Sequence, residues 1–312
     1  MNVFGALIVC GCFSAVAGYS ALAAETAAKH YGSPEEAVQA LMAAVKAGDD
    51  AAMIVVLGSE AKPLIDSGDA VADGNTRERF VKLYDTANEI VKDDDAKAVL
   101  EIGKDGWPFP IPIVKEEAGW RFDTAAGEEE ILDRRIGKNE LSTVQVCLAI
   151  VDAQREYYVR NPEKTDLLHY AQRFLSEEGK RNGLYWKTAE DDEPSPLGPL
   201  VAGARAEGYQ HGEAKGGRRP YHGYYYKMLT AQGPSAPGGA YDYVAHGEMI
   251  GGFAAVAYPA EYGSSGIMTF LVSHDGVVYQ SDLGEETETV VEKMTKFDPD
   301  SSWERVAADT DT

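Results

Sequence analysis

Apolar residues recur at helical spacing in the first third of the chain and at strand spacing in the last. Ser33-Pro34-Glu35-Glu36 opens the first helix: Ser33 is a capping residue, Pro34 fits the first helical position, and Glu36 completes a capping box. Val38, Leu41, Met42 and Val45 follow on one face, and Gly48 ends the segment. A shorter helix is expected from Ala51 to Leu57. A third starts at Asn75 and Glu78 and places Phe80, Leu83, Tyr84, Ala87 and Val91 on one face.

The period then becomes two. Val99 to Ile102 reads as a strand, and Phe109, Ile111 and Ile113 alternate with Pro110 and Pro112. Both prolines remove N–H donors from the same edge, so this segment is an edge strand or lies outside a sheet. Ala118-Gly119 is a turn, with Trp120 and Phe122 continuing the alternation. A long helix is expected from Asn139 to Val159, with Leu141, Val144, Leu148 and Val151 on its buried stripe and Pro162 as its stop. A shorter helical piece is expected from Leu167 to Leu175, and a proline-rich loop from Asp191 to Pro199.

Half of the 32 glycines and ten of the 17 tyrosines fall between Gly203 and Gly284. That composition predicts short strands joined by many turns. Candidate strands are Tyr221–Leu229, Phe253–Tyr258, and the pair Ile267–Ser273 and Val277–Ser281 around the hairpin signal Asp275-Gly276. Gln232 to Gly239 is a loop, and a helix is expected from Glu285 to Lys296. The fold class is α+β: N-terminal helices on a curved antiparallel sheet, then a long helix packed on a second antiparallel, glycine- and tyrosine-rich sheet. A length of 312 residues suits two domains. They are expected at 24–133 and 134–312, with the acidic run Glu128-Glu129-Glu130 as a solvated boundary.

The first 24 residues carry no charge, and Ala21-Leu22-Ala23 is a small-x-small pattern. Residues 1–23 therefore read as a signal peptide cut after Ala23, which places the mature chain in the periplasm. An uncleaved anchor or lipidation at Cys12 ranks below this. Cleavage would remove Cys10 and Cys12 and leave Cys147 without an intrachain partner; its setting beside Val144 and Leu148 reads as core. Fifty-one acidic residues against 29 basic ones give −22, so nucleic acid and anionic membrane surfaces are poor partners.

No phosphate loop, dinucleotide fingerprint, zinc motif or nucleophile elbow occurs; Gly263-Ser264-Ser265-Gly266 lacks the elbow's spacing. No metal or cofactor is expected. The weak catalytic candidates are His222 and His246, with Asp242, Glu248 and Glu261 nearby as carboxylates. Asp275 and Asp282 could hold calcium, but the hairpin already accounts for Asp275. Trp107, Tyr185 and Trp186 could line a sugar or peptide groove, although large aromatics more often fill core. Tyr221, Tyr224, Tyr226, Tyr241 and Tyr262 are expected to line one concave surface near His222, or else to pack the core.

Six segments together resemble a bacterial family known as domain of unknown function 2950: Gly106–Pro112, Arg134–Glu140, Ser195–Leu200, Tyr221–Tyr225, Ala236–Ala240 and Tyr258–Gly266. The resemblance covers nearly the whole mature chain and implies no activity. At the level of fold alone, the first part is similar to the cystatin-like cones of the nuclear-transport-factor superfamily, and the second to a pilin or pseudopilin globular domain. Arg134, Arg135, Lys138 and Glu140 stand where a filament-forming pilin needs an apolar helix half. The expected function is a non-catalytic exported protein that binds an envelope protein or a small ligand. The alternative is a periplasmic hydrolase using His222 or His246 with a carboxylate.

Overall fold

A computed structural model describes residues 27–93, 95–189, 192–209 and 219–307. The segment expected to be a signal peptide, with Cys10 and Cys12, lies outside the described residues. Helix α1 (Pro34–Ala47) begins at the expected box: Ser33 Oγ accepts the Glu36 N–H at 3.2 Å, and the Glu36 carboxylate accepts from Gly32 N–H at 2.9 Å. Gly48 closes it in the left-handed region. Helix α2 (Asp50–Leu57) follows from an Asp49 cap; a short turn, Ser59–Ala61, leads to α3 (Lys62–Ile65).

Helix α4 (Ala70–Thr86) is capped by Asp69, not by Asn75. Asp69 Oδ1 accepts from the N–H groups of Val71 and Ala72, while Asn75 lies within the helix and donates to the Glu207 carbonyl at 2.8 Å. The helix also stops before Ala87 and Val91. Ile90-Val91 instead belongs to β1 (Asn88–Lys92), where branched side chains suit antiparallel pairing with β2 (Lys97–Ile102).

The first sheet has the order β1-β2-β4-β5, with β4 at Ile113–Glu116, β5 at Gly119–Phe122, and the two-residue β3 (Trp107–Pro108) also on β2. Phe109 N–H still donates to Leu100 at 2.7 Å, after which the proline segment leaves the ladder until Ile113. Leu41, Met42, Val56, Leu100, Ile111 and Phe122 form the centre of this core.

Helix α5 runs unbroken from Thr124 to Arg160, 15 residues earlier than the apolar pattern places its start. Its first turns are charged, but Glu and Arg are good helix formers, and Glu130 pairs with Arg134 four residues on. The buried face also differs. Leu141 is 66% exposed, whereas Asn139, Thr143 and Gln154 are buried with Val146, Cys147, Ile150 and Tyr157. Those polar groups are bonded: Asn139 donates to the Ser265 carbonyl, Thr143 to the Asn139 carbonyl, and Gln154 donates to the Ala171 carbonyl while accepting from the Ala171 N–H. Residues 167–175 are irregular rather than helical.

Helix α6 (Gly198–Ala206) precedes the second sheet. Strands β6 (Tyr224–Leu229), β11 (Ala254–Pro259), β12 (Met268–Ser273), β13 (Val278–Asp282) and β15 (Glu304–Arg305) form an antiparallel sheet in the order β15-β13-β12-β11-β6. Between them lie the short strands β7 (Ala231–Gln232), β8 (Tyr241–Asp242), β9 (Val244–Ala245) and β10 (Glu248–Met249). Every residue of β11 is buried, so both of its faces are covered. Helix α5 packs on β12 and β11, and α7 (Thr287–Lys293) packs on β11 as well. Lys227 on β6 caps that end of the molecule by donating to the carbonyls of Val291, Glu292 and Met294, each at 2.8 Å. Strand β14 (Lys296–Phe297) runs parallel to β7. Among the described residues no helix is long and apolar enough to cross a membrane.

Candidate functional site

A concavity of about 480 Å³ opens where α5, α6 and the start of β6 meet. That volume falls within the roughly 300–1,000 Å³ typical of ligand pockets. Val146 and Ile150 of α5 form one wall, Leu200, Val201 and Ala204 of α6 another, and Tyr209, Tyr221, Tyr225 and Tyr226 a third. Phe174, Leu175 and Tyr185 complete it. Among the described residues two charged side chains line it, Arg205 and Arg219.

The tyrosine wall is held from behind. Tyr209 donates its hydroxyl to Asp69 Oδ2 at 2.8 Å, and Gly223 N–H donates to the same oxygen at 2.9 Å. The Tyr209 and Tyr221 rings meet edge to face at 5.0 Å. Tyr226 donates to the Tyr221 carbonyl at 3.3 Å. Burial raises the Tyr209 phenol above its ordinary value, and the Asp69 charge adds to the effect. Burial, with Glu207 nearby, pushes Tyr221 up to about 12. Both are neutral hydroxyls at physiological pH.

His222 is in ring contact with Tyr209 and Tyr221, and its Nε2 lies 3.6 Å from Glu207 Oε2. Burial lowers its pKa and outweighs the Glu207 carboxylate, which acts the other way. Its backbone has a definite task. Tyr221 and Tyr224 exchange both backbone hydrogen bonds around His222-Gly223, whose φ values are 52° and 75°. Two positive φ angles in a two-residue hairpin loop are the signature of a type I′ turn. His246-Gly247, at 53° and 88°, repeats it between β9 and β10, with the imidazole exposed. Glycine flanks both histidines because the turn needs it.

The other candidates disperse. Tyr224 is fully buried and donates to the Met268 carbonyl at 3.0 Å. Tyr241 packs edge-on against Tyr243, and Tyr262 donates to Asp282. Trp107 lies under the Arg134 guanidinium at 5.6 Å, and Trp186 lines a separate concavity formed by residues 175–187. Glu261 is exposed, and its backbone N–H donates to Ser265 Oγ. Tyr185, named with the tryptophans, does line the groove.

A histidine outside the candidate set is the more enclosed one. His169 is 5% exposed, with Nδ1 at 3.4 Å from Glu248 Oε2 and Nε2 at 3.6 Å from Glu163 Oε1. Tyr157 donates to that same Glu163 oxygen at 2.6 Å. The cluster ties the end of α5 to the β9–β10 hairpin. Only Glu248 hinted at it in the sequence. Among the described residues no group of three or more His, Cys, Asp or Glu side chains could hold a metal ion.

The sequence profile of the family described as protein of unknown function, DUF2950, matches residues 28–306. The chain belongs to this family. No curated protein and no solved structure matches it. In this DUF2950 member several of the segments that carry the resemblance meet along one seam. Arg135 of α5 donates to the Pro63 and Leu64 carbonyls at 2.6 and 2.5 Å and to Ser264 Oγ at 3.3 Å. Glu140 Oε1 accepts the N–H groups of Ile267 and Met268, both at 3.0 Å. Gly223 lies so near Asn139 that a Cβ there would stand 2.6 Å from its amide nitrogen. The family segments thus fix the seam on which the tyrosine wall is mounted.

Proposed function

We propose that this DUF2950 protein is an exported, non-catalytic binding protein of the cell envelope, and that its ligand occupies the groove between α5, α6 and β6. The observation that carries the reading is the groove's composition: a ligand-sized concavity walled by aliphatic side chains and five tyrosines. Tyrosines supply rigid contact area with a polar tip, and their hydroxyls leave room for orientation as well as burial. The hydrolase alternative drew on His222 and His246, whose positions a turn geometry explains. The negative charge of the chain continues to disfavour nucleic acid and anionic membrane surfaces as partners.

The test is a titration with Nile red, a neutral apolar dye that brightens on leaving water. Wild-type protein should enhance its emission in a saturable manner. Ala204→Trp, which places an indole in the groove from half-buried α6, should abolish the enhancement while leaving the melting temperature near wild type. Equal enhancement by both proteins would place the dye elsewhere and refute the reading.

The export half of the proposal predicts a mature chain beginning at Ala24, released with the periplasmic fraction. Intact-mass analysis showing Met1 retained, or a lipid on Cys12, would refute it. The two cores further suggest two units, 24–133 and 134–312, with α5 continuous across their boundary.

A further inference from the structure

We infer that the groove selects an amphipathic organic acid, with the apolar body against α5 and α6 and the carboxylate at Arg205 and Arg219. This rests on the groove being the ligand site and adds the class of ligand. The chain has 51 acidic residues and 29 basic ones, yet among the described residues both charged side chains lining this concavity are arginines. Both guanidinium groups are exposed at the rim of a wall that is otherwise apolar or phenolic, where a charge-assisted hydrogen bond to a ligand adds to the burial of its apolar body.

Arg205 is already oriented. Its Nη2 donates to the Tyr185 hydroxyl at 2.7 Å, and its guanidinium lies over the Tyr185 ring at 5.6 Å. Both contacts are with the neutral Tyr185 side chain, so they orient the cation without offsetting its charge. A guanidinium has five N–H donors, and this contact uses one of them. The nearest acid in sequence, Glu207, has its carboxylate turned to His222 Nε2 at 3.6 Å. An anion entering the groove would therefore meet a fixed positive edge beside an apolar floor. A neutral hydrocarbon would use only the floor, and a cation would be opposed.

The experiment is isothermal titration of the mature protein near neutral pH with three ligands sharing one chain: decanoate, decanol and decyltrimethylammonium. Decanoate should bind about tenfold or more tighter than decanol, as expected for a hydrogen bond to a charged group, and the ammonium weakest of the three. In the double variant Arg205→Gln, Arg219→Gln, the preference for decanoate over decanol should fall to within about twofold. Decanol binding as tightly as decanoate to wild type would overturn the inference and leave the groove reading standing. If none of the three binds, the groove reading falls and the inference with it. The wild-type comparison does not depend on how the double variant folds.

Discussion

The hydroxyl of Tyr209 donates 2.8 Å to the carboxylate of Asp69, a residue 140 positions earlier that is 1% exposed. One oxygen of Asp69 caps α4 and the other holds Tyr209 and Gly223, so a single buried side chain joins the first core to the tyrosine wall. Asp69→Ala removes both functions and should cost about 2–4 kcal/mol, the sum of a lost cap and lost charge-assisted bonds. Tyr209→Phe should cost about 1.5–3 kcal/mol, because Gly223 still satisfies the same oxygen. Urea unfolding of the two variants checks both values. Changes below about 0.5 kcal/mol in each would show that the contact is incidental.

The tyrosines of the second half should divide by burial. Tyr224→Ala removes a fully buried ring and should cost about 3–5 kcal/mol. Tyr241→Ala acts at a position 38% exposed and should cost about 1 kcal/mol or less. Thermal melts of the two variants separate them. Equal drops in midpoint would contradict the assignment of one to core and the other to surface.

Cys147 is 1% exposed on α5, and burial pushes its thiol up to about 12 from an ordinary value near 9. The unfolded chain therefore loses this proton first as pH rises. The stability the thiol contributes is full below about 9 and is lost between there and about 12, with a slope of up to about 1.4 kcal/mol per pH unit. Cys147→Ala should flatten that part of the alkaline stability profile. Folded protein should also react slowly with thiol reagents, and urea-unfolded protein quickly. Fast labelling of the native state would contradict the burial.

Local chemistry made part of this fold legible in the sequence. Ser33, Pro34 and Glu36 specify a helix start through groups only three residues apart, and Asp275-Gly276 specifies a turn through backbone preference alone. The buried face of α5 was hidden because Asn139, Thr143 and Gln154 are polar, and their partners at Ser265 and Ala171 are set by tertiary structure. Leu141 misled for the converse reason, being apolar and exposed. The groove was less legible still. Its walls come from Val146, Phe174, Tyr185, Leu200 and Tyr221, which no sequence period connects. His222-Gly223 and His246-Gly247 were visible, but as catalytic candidates; two successive positive φ angles account for the glycines.

The most direct test of the binding claim is the NMR response of ring-labelled tyrosines to Nile red. The account predicts that Tyr185, Tyr209, Tyr221, Tyr225 and Tyr226, which line the groove, shift together and saturate at one equivalent. Tyr31 and Tyr84, which pack against the first core, should stay where they are. Shifts confined to Tyr31 and Tyr84, or no saturable shift at any of the five groove tyrosines, would contradict it.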